Sequence, residues 1–121
     1  MRFQDLLAYK KSFNLAMEIF ELSKAFPKEE TYSLTDQIRR SSRSVAANIS
    51  ESYRKRRYPN HFISKLTDSD AENSETQTWL EFALRCKYIT KENFNKLTQD
   101  SDEFSKLINF MIQNPDKFGS K

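Results

Sequence analysis

The scarcity of residues that make tight turns is the strongest constraint on the fold of this chain. Its 121 residues include one glycine and three prolines. Connections between many short strands rely on glycine and proline, so the composition argues against a many-stranded β protein. A single domain of this length with so few turn residues must be built from long helices joined by short connections. The sequence therefore predicts the all-α class.

Apolar residues recur at the spacing of an α-helix in four separate segments. Prolines at positions 27, 59 and 115 separate or end these segments, because proline interrupts a helix and restricts the residue before it. Four long helices joined by short connections predict one antiparallel, up-down-up-down four-helix bundle over residues 1–121. The predicted helices span approximately residues 5–25, 34–57, 61–88 and 91–113.

The first predicted helix carries two neighbouring apolar stripes. One stripe contains Phe13, Met17 and Phe20, and the other contains Leu15 and Ile19. A helix with apolar residues on two sides has apolar neighbours on both. This helix is therefore either central in the bundle or in contact with another subunit.

The apolar stripe of the third predicted helix is interrupted near its middle. Phe62 and Leu66 begin the stripe, and the positions that continue it hold Asp70, Asn73 and Gln77. The stripe becomes apolar again after them. The third helix therefore has a polar segment between two apolar ones.

Positive charge is concentrated in the second predicted helix. Residues 34–57 contain seven arginines and lysines and two carboxylates, although the net charge of the whole chain is only +3. At 100° per residue, Arg39, Arg43, Ser50, Arg54 and Arg57 fall on one strip beside the apolar line of the helix. Such a strip suits phosphate backbones, which arginine and serine bind without reading bases.

Three interpretations of these cations are open. They contact nucleic-acid phosphates, they form ion pairs within the chain or between subunits, or they form a solvated face. The run from Arg54 to Arg57 favours nucleic acid, because four consecutive cations point in several directions and cannot all find internal partners. Arg39 and Arg40 lie deeper in the helix and favour a structural role. The acids available for pairing are Glu18, Glu21, Asp70, Glu72 and Glu75.

Residues that perform catalysis or bind metals are scarce. The chain has one histidine, His61, and one cysteine, Cys86, so no cluster has the spacing of metal ligands and no internal disulfide can form. A glycine-rich phosphate loop is excluded by the single glycine. We therefore expect a non-enzymatic protein without metal or other cofactor, and a buried or half-buried cysteine. Without a long apolar run or a signal peptide, we expect a cytoplasmic protein that does not enter the membrane.

Two segments of the sequence resemble one known family. They are FPKEETYSLTDQIRRSSRSVAANISES, which begins at Phe26, and SETQTWLEFALRCKYI, which ends at Ile89. Both are similar to the four-helix bundle proteins called 23S rRNA-intervening-sequence proteins, which share PKEE, Y-x-L-T-x-Q-x-RR and AANI-x-E patterns. The resemblance covers nearly the whole chain. Ser52 and Lys87 stand where the family pattern has glycine, and both replacements favour a continuous helix.

The resemblance implies a bundle that assembles into a ring-shaped homopentamer. The chain is also similar, more distantly, to the accessory bundle protein of diversity-generating retroelements, a ring with a positively charged surface thought to bind nucleic acid. In such a ring, these polar residues lie in or near a subunit interface: Gln37, Arg39, Arg40, Asn48 and Glu51. The end of the second helix forms a basic ring, and the residues expected to contact phosphates are Arg43, Arg54, Lys55, Arg56 and Arg57.

Two functions follow as expectations. The first is a homo-oligomer that binds RNA or DNA through its basic second helix without sequence specificity. The alternative is an oligomeric protein-interaction scaffold that recruits another protein and whose basic residues serve subunit pairing. Replacing the basic run by serine distinguishes them, because only the scaffold interpretation expects the oligomer to dissociate.

Overall fold

Four long helices make up the fold in the computed structural model, which describes residues 1–120. They are α1 (Leu7–Ser23), α2 (Leu34–Arg54), α3 (Pro59–Arg85) and α4 (Lys91–Gln113). Three short 3-10 turns span Phe3–Asp5, Lys28–Glu30 and Pro115–Phe118. No strand occurs between residues 1 and 120. The predicted all-α class is confirmed.

Each helix packs antiparallel to its neighbours. Helices consecutive in the sequence are in contact, and α4 closes the bundle against α1. Lys11 near the start of α1 pairs with Glu103 of α4, whereas Glu18 further along α1 pairs with the earlier Lys96. The same holds for α2 with α3 and for α3 with α4, because residues later in one helix contact residues earlier in the next. The architecture is an up-down-up-down four-helix bundle.

The apolar core is divided into two clusters, one towards each end of the bundle. One cluster lies at the end where α2 passes into α3, and its buried members are Leu6, Ala8, Val45, Ile49, Tyr53, Phe62, Leu66, Phe104, Ile108 and Met111. The other lies at the end where α1 passes into α2, and its buried members are Leu15, Ile19, Leu34, Ile38, Leu80, Ala83, Ile89 and Leu97.

A layer of buried, hydrogen-bonded polar side chains separates the two clusters. Asn73 donates to the Ser101 carbonyl over 3.1 Å and accepts from the Ser101 hydroxyl over 2.8 Å. Gln77 donates to the same hydroxyl over 2.8 Å, and the hydroxyls of Ser41 and Thr76 lie 2.8 Å apart. Of the polar segment predicted in the third helix, Asn73 and Gln77 belong to this layer and link α3 to α4, whereas Asp70 makes no side-chain hydrogen bond within residues 1–120. The link to α2 is made by Thr76, which the prediction did not include.

Five predicted helix boundaries are wrong by two or three residues, and two of them are the end of α1 at Ser23 rather than residue 25 and the end of α3 at Arg85 rather than residue 88. The first helix begins at Leu7, not residue 5, because Leu6 is extended and Phe3–Asp5 forms a separate turn closed by Asp5 on the Arg2 backbone N–H. The second helix ends at Arg54 rather than residue 57. The third begins at Pro59 rather than residue 61, since a proline fits the first helical position, where its missing N–H is not needed.

Lys87 lies two residues beyond the end of α3 at Arg85, so the expectation of a continuous helix at this position is wrong. Its φ is +64°, in the left-handed region that favours glycine. The Tyr88 N–H bonds to the Ala83 carbonyl over 2.8 Å and the Lys87 N–H to the Leu84 carbonyl over 2.9 Å. This is the Schellman pattern of a helix C-terminus. By contrast, Ser52 lies fully buried inside α2.

We expect Lys87→Gly to raise the free energy of unfolding by about 1 kcal/mol, because glycine adopts a positive φ without steric cost. Urea unfolding followed by circular dichroism measures the change. Glu81→Gly is the matched control, since glycine at this exposed position inside α3 is expected to destabilise the protein by about 1 kcal/mol. Equal destabilisation by both variants would contradict the assigned conformation of Lys87.

We expect Asn73→Leu to lower the free energy of unfolding by about 1–3 kcal/mol, because the buried Ser101 hydroxyl loses a partner. The double variant Asn73→Leu, Ser101→Ala is expected to lose less than the sum of the single losses. Urea unfolding of the wild type and the three variants gives the coupling between the two side chains. Strictly additive losses would mean that they do not stabilise the bundle as a pair.

Candidate nucleic-acid interface

Three exposed cations cluster where α2 ends. Arg54 is the last residue of α2, and Lys55 and Arg57 follow in the turn before α3. We call these three residues the end cluster. Within residues 1–120, no carboxylate oxygen lies within 4.0 Å of their side-chain nitrogens. Cations are favourable at a helix C-terminus because of the helix macrodipole, which explains why the fold tolerates them at this position.

Arg56, the fourth cation of the run, is engaged by its own chain. Its guanidinium carbon lies 3.8 Å from the centroid of the Tyr53 ring, and its Nη1 donates to the Tyr53 carbonyl over 2.7 Å. The side chain also lies against Gly119, since a Cβ there would be 3.3 Å from its Cδ and Nε atoms. Arg56 therefore anchors the C-terminal turn to α2.

Arg40 bears out the ion-pairing interpretation for one cation. Its Nη2 lies 2.6 Å from Glu75 and its Nη1 lies 3.7 Å from Glu72. Burial, and then the neighbouring Glu75 charge, raise the pKa of Glu72 above its ordinary value, while Arg40 opposes this shift. Arg40 thus holds two carboxylates of α3 beside each other.

Arg39 and Arg43 surround the Phe20 ring of α1 instead of an acid. Their guanidinium carbons lie 4.7 and 5.5 Å from the ring centroid. Arg39 also donates from Nε to the Ser23 hydroxyl over 2.8 Å. The acids of the first helix pair elsewhere: Glu18 with Lys96 and Glu21 with Lys24. Ion pairs between the arginines of α2 and the first-helix acids are therefore not formed within this chain.

The other three polar residues predicted at a subunit interface have partners within the chain. Gln37 accepts from Arg40 over 3.2 Å, Asn48 donates to the Ser44 carbonyl over 2.9 Å, and Glu51 pairs with Lys65 at 2.8 Å. These contacts account for their positions in a single chain. Their role at an interface stays a prediction.

One of the two apolar stripes of α1 lies on the surface. Leu15 and Ile19 are buried in the core, whereas Phe13 and Met17 are 46% and 47% exposed. Together with residues of α2, Phe13 and Met17 line an apolar groove of about 380 Å³ that reaches Arg43. The stripe that contains Phe13 and Met17 is thus available for contact with another molecule.

The two segments that carry the family resemblance meet at one end of the bundle. The Tyr88 hydroxyl donates to Glu30 over 2.8 Å, and this hydrogen bond raises the pKa of Tyr88 to about 12. The other oxygen of Glu30 accepts from the Leu34 N–H over 3.3 Å, so this carboxylate caps the first turn of α2. Sequence patterns do not indicate this link, because its partners are 58 residues apart.

The cysteine and the histidine of this chain both lie on the surface. Cys86 is exposed rather than buried, because it lies just beyond the last residue of α3. His61 is exposed beside Tyr58, with ring centroids 5.8 Å apart. In the part of the chain that the structure describes, no three acidic, histidine or cysteine side chains come together as a metal site, and no helix is long and apolar enough to cross a membrane.

The fold places this chain in the class of small antiparallel four-helix bundle proteins. Residues 4–110 match the model of the 23S rRNA-intervening sequence protein, and the chain belongs to this family. It is similar to a protein of unknown function from the S23 ribosomal protein family of Bacteroides thetaiotaomicron VPI-5482, solved at 1.70 Å. The two are 33% identical, with a TM-score of 0.80 over 91% of this chain and 98% of the other. No curated protein matches the chain.

We expect Arg40→Gln to destabilise the protein at pH 7 by up to about 1 kcal/mol, because it leaves the Glu72 and Glu75 carboxylates side by side without their cation. The raised pKa of Glu72 means that the folded protein retains this proton to higher pH than the unfolded chain. Ionisation of Glu72 therefore lowers stability as pH rises through that range.

The destabilisation by Arg40→Gln is expected to shrink near pH 4.5, the ordinary pKa of a glutamate. Thermal unfolding at pH 7 and near pH 4.5 measures the difference. The control is Arg54→Gln, whose effect should not depend on pH in this range because Arg54 has no ion pair within residues 1–120. A loss for Arg40→Gln that is the same at both pH values would contradict the role of the two carboxylates.

Proposed function

We propose that this protein is a non-enzymatic, homo-oligomeric bundle that binds RNA or DNA without sequence specificity, through cations of α2. One observation carries the proposal: the end cluster of Arg54, Lys55 and Arg57 is exposed and has no carboxylate partner within residues 1–120. Three positive charges within four residues attract a phosphate backbone, and the release of its counterions favours binding.

The remaining predicted contacts contribute unequally to the proposal. Arg43 is exposed and forms no ion pair within residues 1–120, so its guanidinium is available to a phosphate. Arg56 uses its guanidinium on Tyr53 and the C-terminal turn, and we assign it a supporting role. We propose that these cations contact the phosphate backbone, which gives affinity without sequence preference.

Assembly into a ring is part of the proposal. The exposed apolar stripe of α1 supports it. Contact with a second subunit would remove the apolar surface of Phe13 and Met17 from water and so stabilise the assembly. Repetition of the end cluster around a ring multiplies weak contacts into avid binding. The pentameric number comes from the family resemblance.

The second candidate is a scaffold in which the free cations pair with carboxylates of neighbouring subunits. The position of Arg43 favours it, since this cation lines the edge of the apolar groove on α1 and α2. In that arrangement the arginines select the orientation of subunits, and the partner is another protein.

We expect the triple variant Arg54→Ser, Lys55→Ser, Arg57→Ser to weaken binding of a short single-stranded RNA at low salt by at least about tenfold. The slope of log affinity against log salt should fall by about 2 for each protomer in contact, because each phosphate contact on a single strand contributes about 0.7. Fluorescence anisotropy over a salt series measures both, and an equivalent DNA strand tests for preference.

The matched control removes three cations from the opposite end of the bundle: Lys28→Ser, Arg85→Ser, Lys91→Ser. Its net charge equals that of the triple variant, so a difference between the two reports the position of the charges. Equal weakening by both would reduce the effect to net charge. Light scattering of each variant completes the test: a triple variant that falls to monomers supports subunit pairing and the scaffold function.

A further inference from the structure

A second basic surface lies on the first half of α2. It is a polar groove of about 520 Å³, which we call the arginine groove, lined by Thr31, Thr35, Asp36, Arg39, Arg40, Arg43, Ser44 and Ala47. From Arg43 to Arg54 the helix advances by about 16 Å, at 1.5 Å per residue. The arginine groove is therefore a different site from the end cluster.

Two of its arginines are held together without a neutralising acid. Arg39 and Arg43 share the Phe20 ring, and Arg39 is fixed further by Ser23, whose hydroxyl donates to the Phe20 carbonyl over 2.8 Å. Across residues 1–120, no carboxylate lies within 4.0 Å of either guanidinium. Attraction to the ring offsets only part of the repulsion between two cations. A bound anion would supply the missing negative charge.

The free donors of the arginine groove suit phosphate oxygens. The terminal nitrogens of Arg39 make no hydrogen bond in the part of the chain described, and neither does the guanidinium of Arg43. Planar guanidinium forks match the spacing of phosphate oxygens. The groove also begins at the first turn of α2, where the helix macrodipole adds positive potential. Its volume is in the range of small-ligand sites.

Two other groups in the arginine groove bear on affinity. Thr35 is 7% exposed, and its hydroxyl has no hydrogen-bond partner among residues 1–120. Asp36 is the one carboxylate among the lining residues, and none of the three arginines pairs with it. Asp36 opposes an anion in the groove, so its removal has a predictable sign.

We propose that the arginine groove binds a phosphate group, with Arg39 and Arg43 as its charged donors. The proposal stands independently of nucleic-acid binding by the end cluster. The phosphate belongs either to a terminal monoester or to a backbone diester, and both present the oxygens that the guanidinium groups recognise.

The test is isothermal titration of the 121-residue chain with inorganic phosphate at constant ionic strength set by chloride. Wild type should show saturable binding, and Arg43→Gln should weaken it by about tenfold through loss of a charge-assisted hydrogen bond. Asp36→Asn should tighten binding severalfold. The triple variant of the end cluster should stay within about twofold of wild type, which separates this result from that of the RNA experiment.

The source of the phosphate is found with two further probes, a 5′-phosphorylated mononucleotide and an oligonucleotide without terminal phosphates. Competition of the first with inorganic phosphate supports a monoester, and competition of the second supports a backbone diester. Failure of wild type to saturate, or no tightening by Asp36→Asn, overturns the proposal. So does a fall in molar mass of Arg43→Gln by light scattering, because it would assign the arginines to subunit pairing.

Discussion

The buried hydrogen bonds between Asn73 and Ser101 set the alignment on which the rest of the bundle depends. Apolar contacts alone allow neighbouring helices to slide, since one apolar side chain replaces another at little cost. A buried amide or hydroxyl tolerates no such shift, because losing its partner costs about 1–3 kcal/mol. The pair of Ser41 and Thr76 applies the same constraint between α2 and α3. Polar residues in the core thus specify which turns of the four helices face one another.

That alignment also decides which cations of α2 are neutralised. With Ser41 opposite Thr76, the adjacent Arg40 meets Glu72 and Glu75 of α3. Its neighbours on the α1 side meet an aromatic ring, and the residues beyond the end of α2 meet no acid among residues 1–120. One basic helix therefore contains three kinds of cation: paired, packed on rings and free. Net charge alone does not distinguish them.

The sequence was sufficient for features that depend on local pattern. Helix number and class follow from periodicity and the scarcity of turn residues. The cap of α4 is equally local, since the Thr90 hydroxyl accepts from the Asn93 N–H over 3.0 Å. Features that depend on distant neighbours could not be predicted. Arg56 is identical to Arg57 in chemistry and adjacent in sequence, yet only Arg56 meets Tyr53 and Gly119. Lys87 adopts a positive φ, which favours glycine, because the whole helix end, and not the preference of lysine, determines φ there.

The arginine groove and the exposed apolar stripe of α1 are physically linked, because Arg43 lines both the polar and the apolar groove. If subunits meet on the apolar stripe, Arg39 and Arg43 enter a region with less water. The repulsion between these two positive charges grows there. An anion bound in the groove would remove part of that repulsion and favour assembly. By linkage, assembly would then tighten anion binding by the same factor. If the bundle assembles on this stripe, phosphate binding and oligomerisation are therefore expected to be coupled.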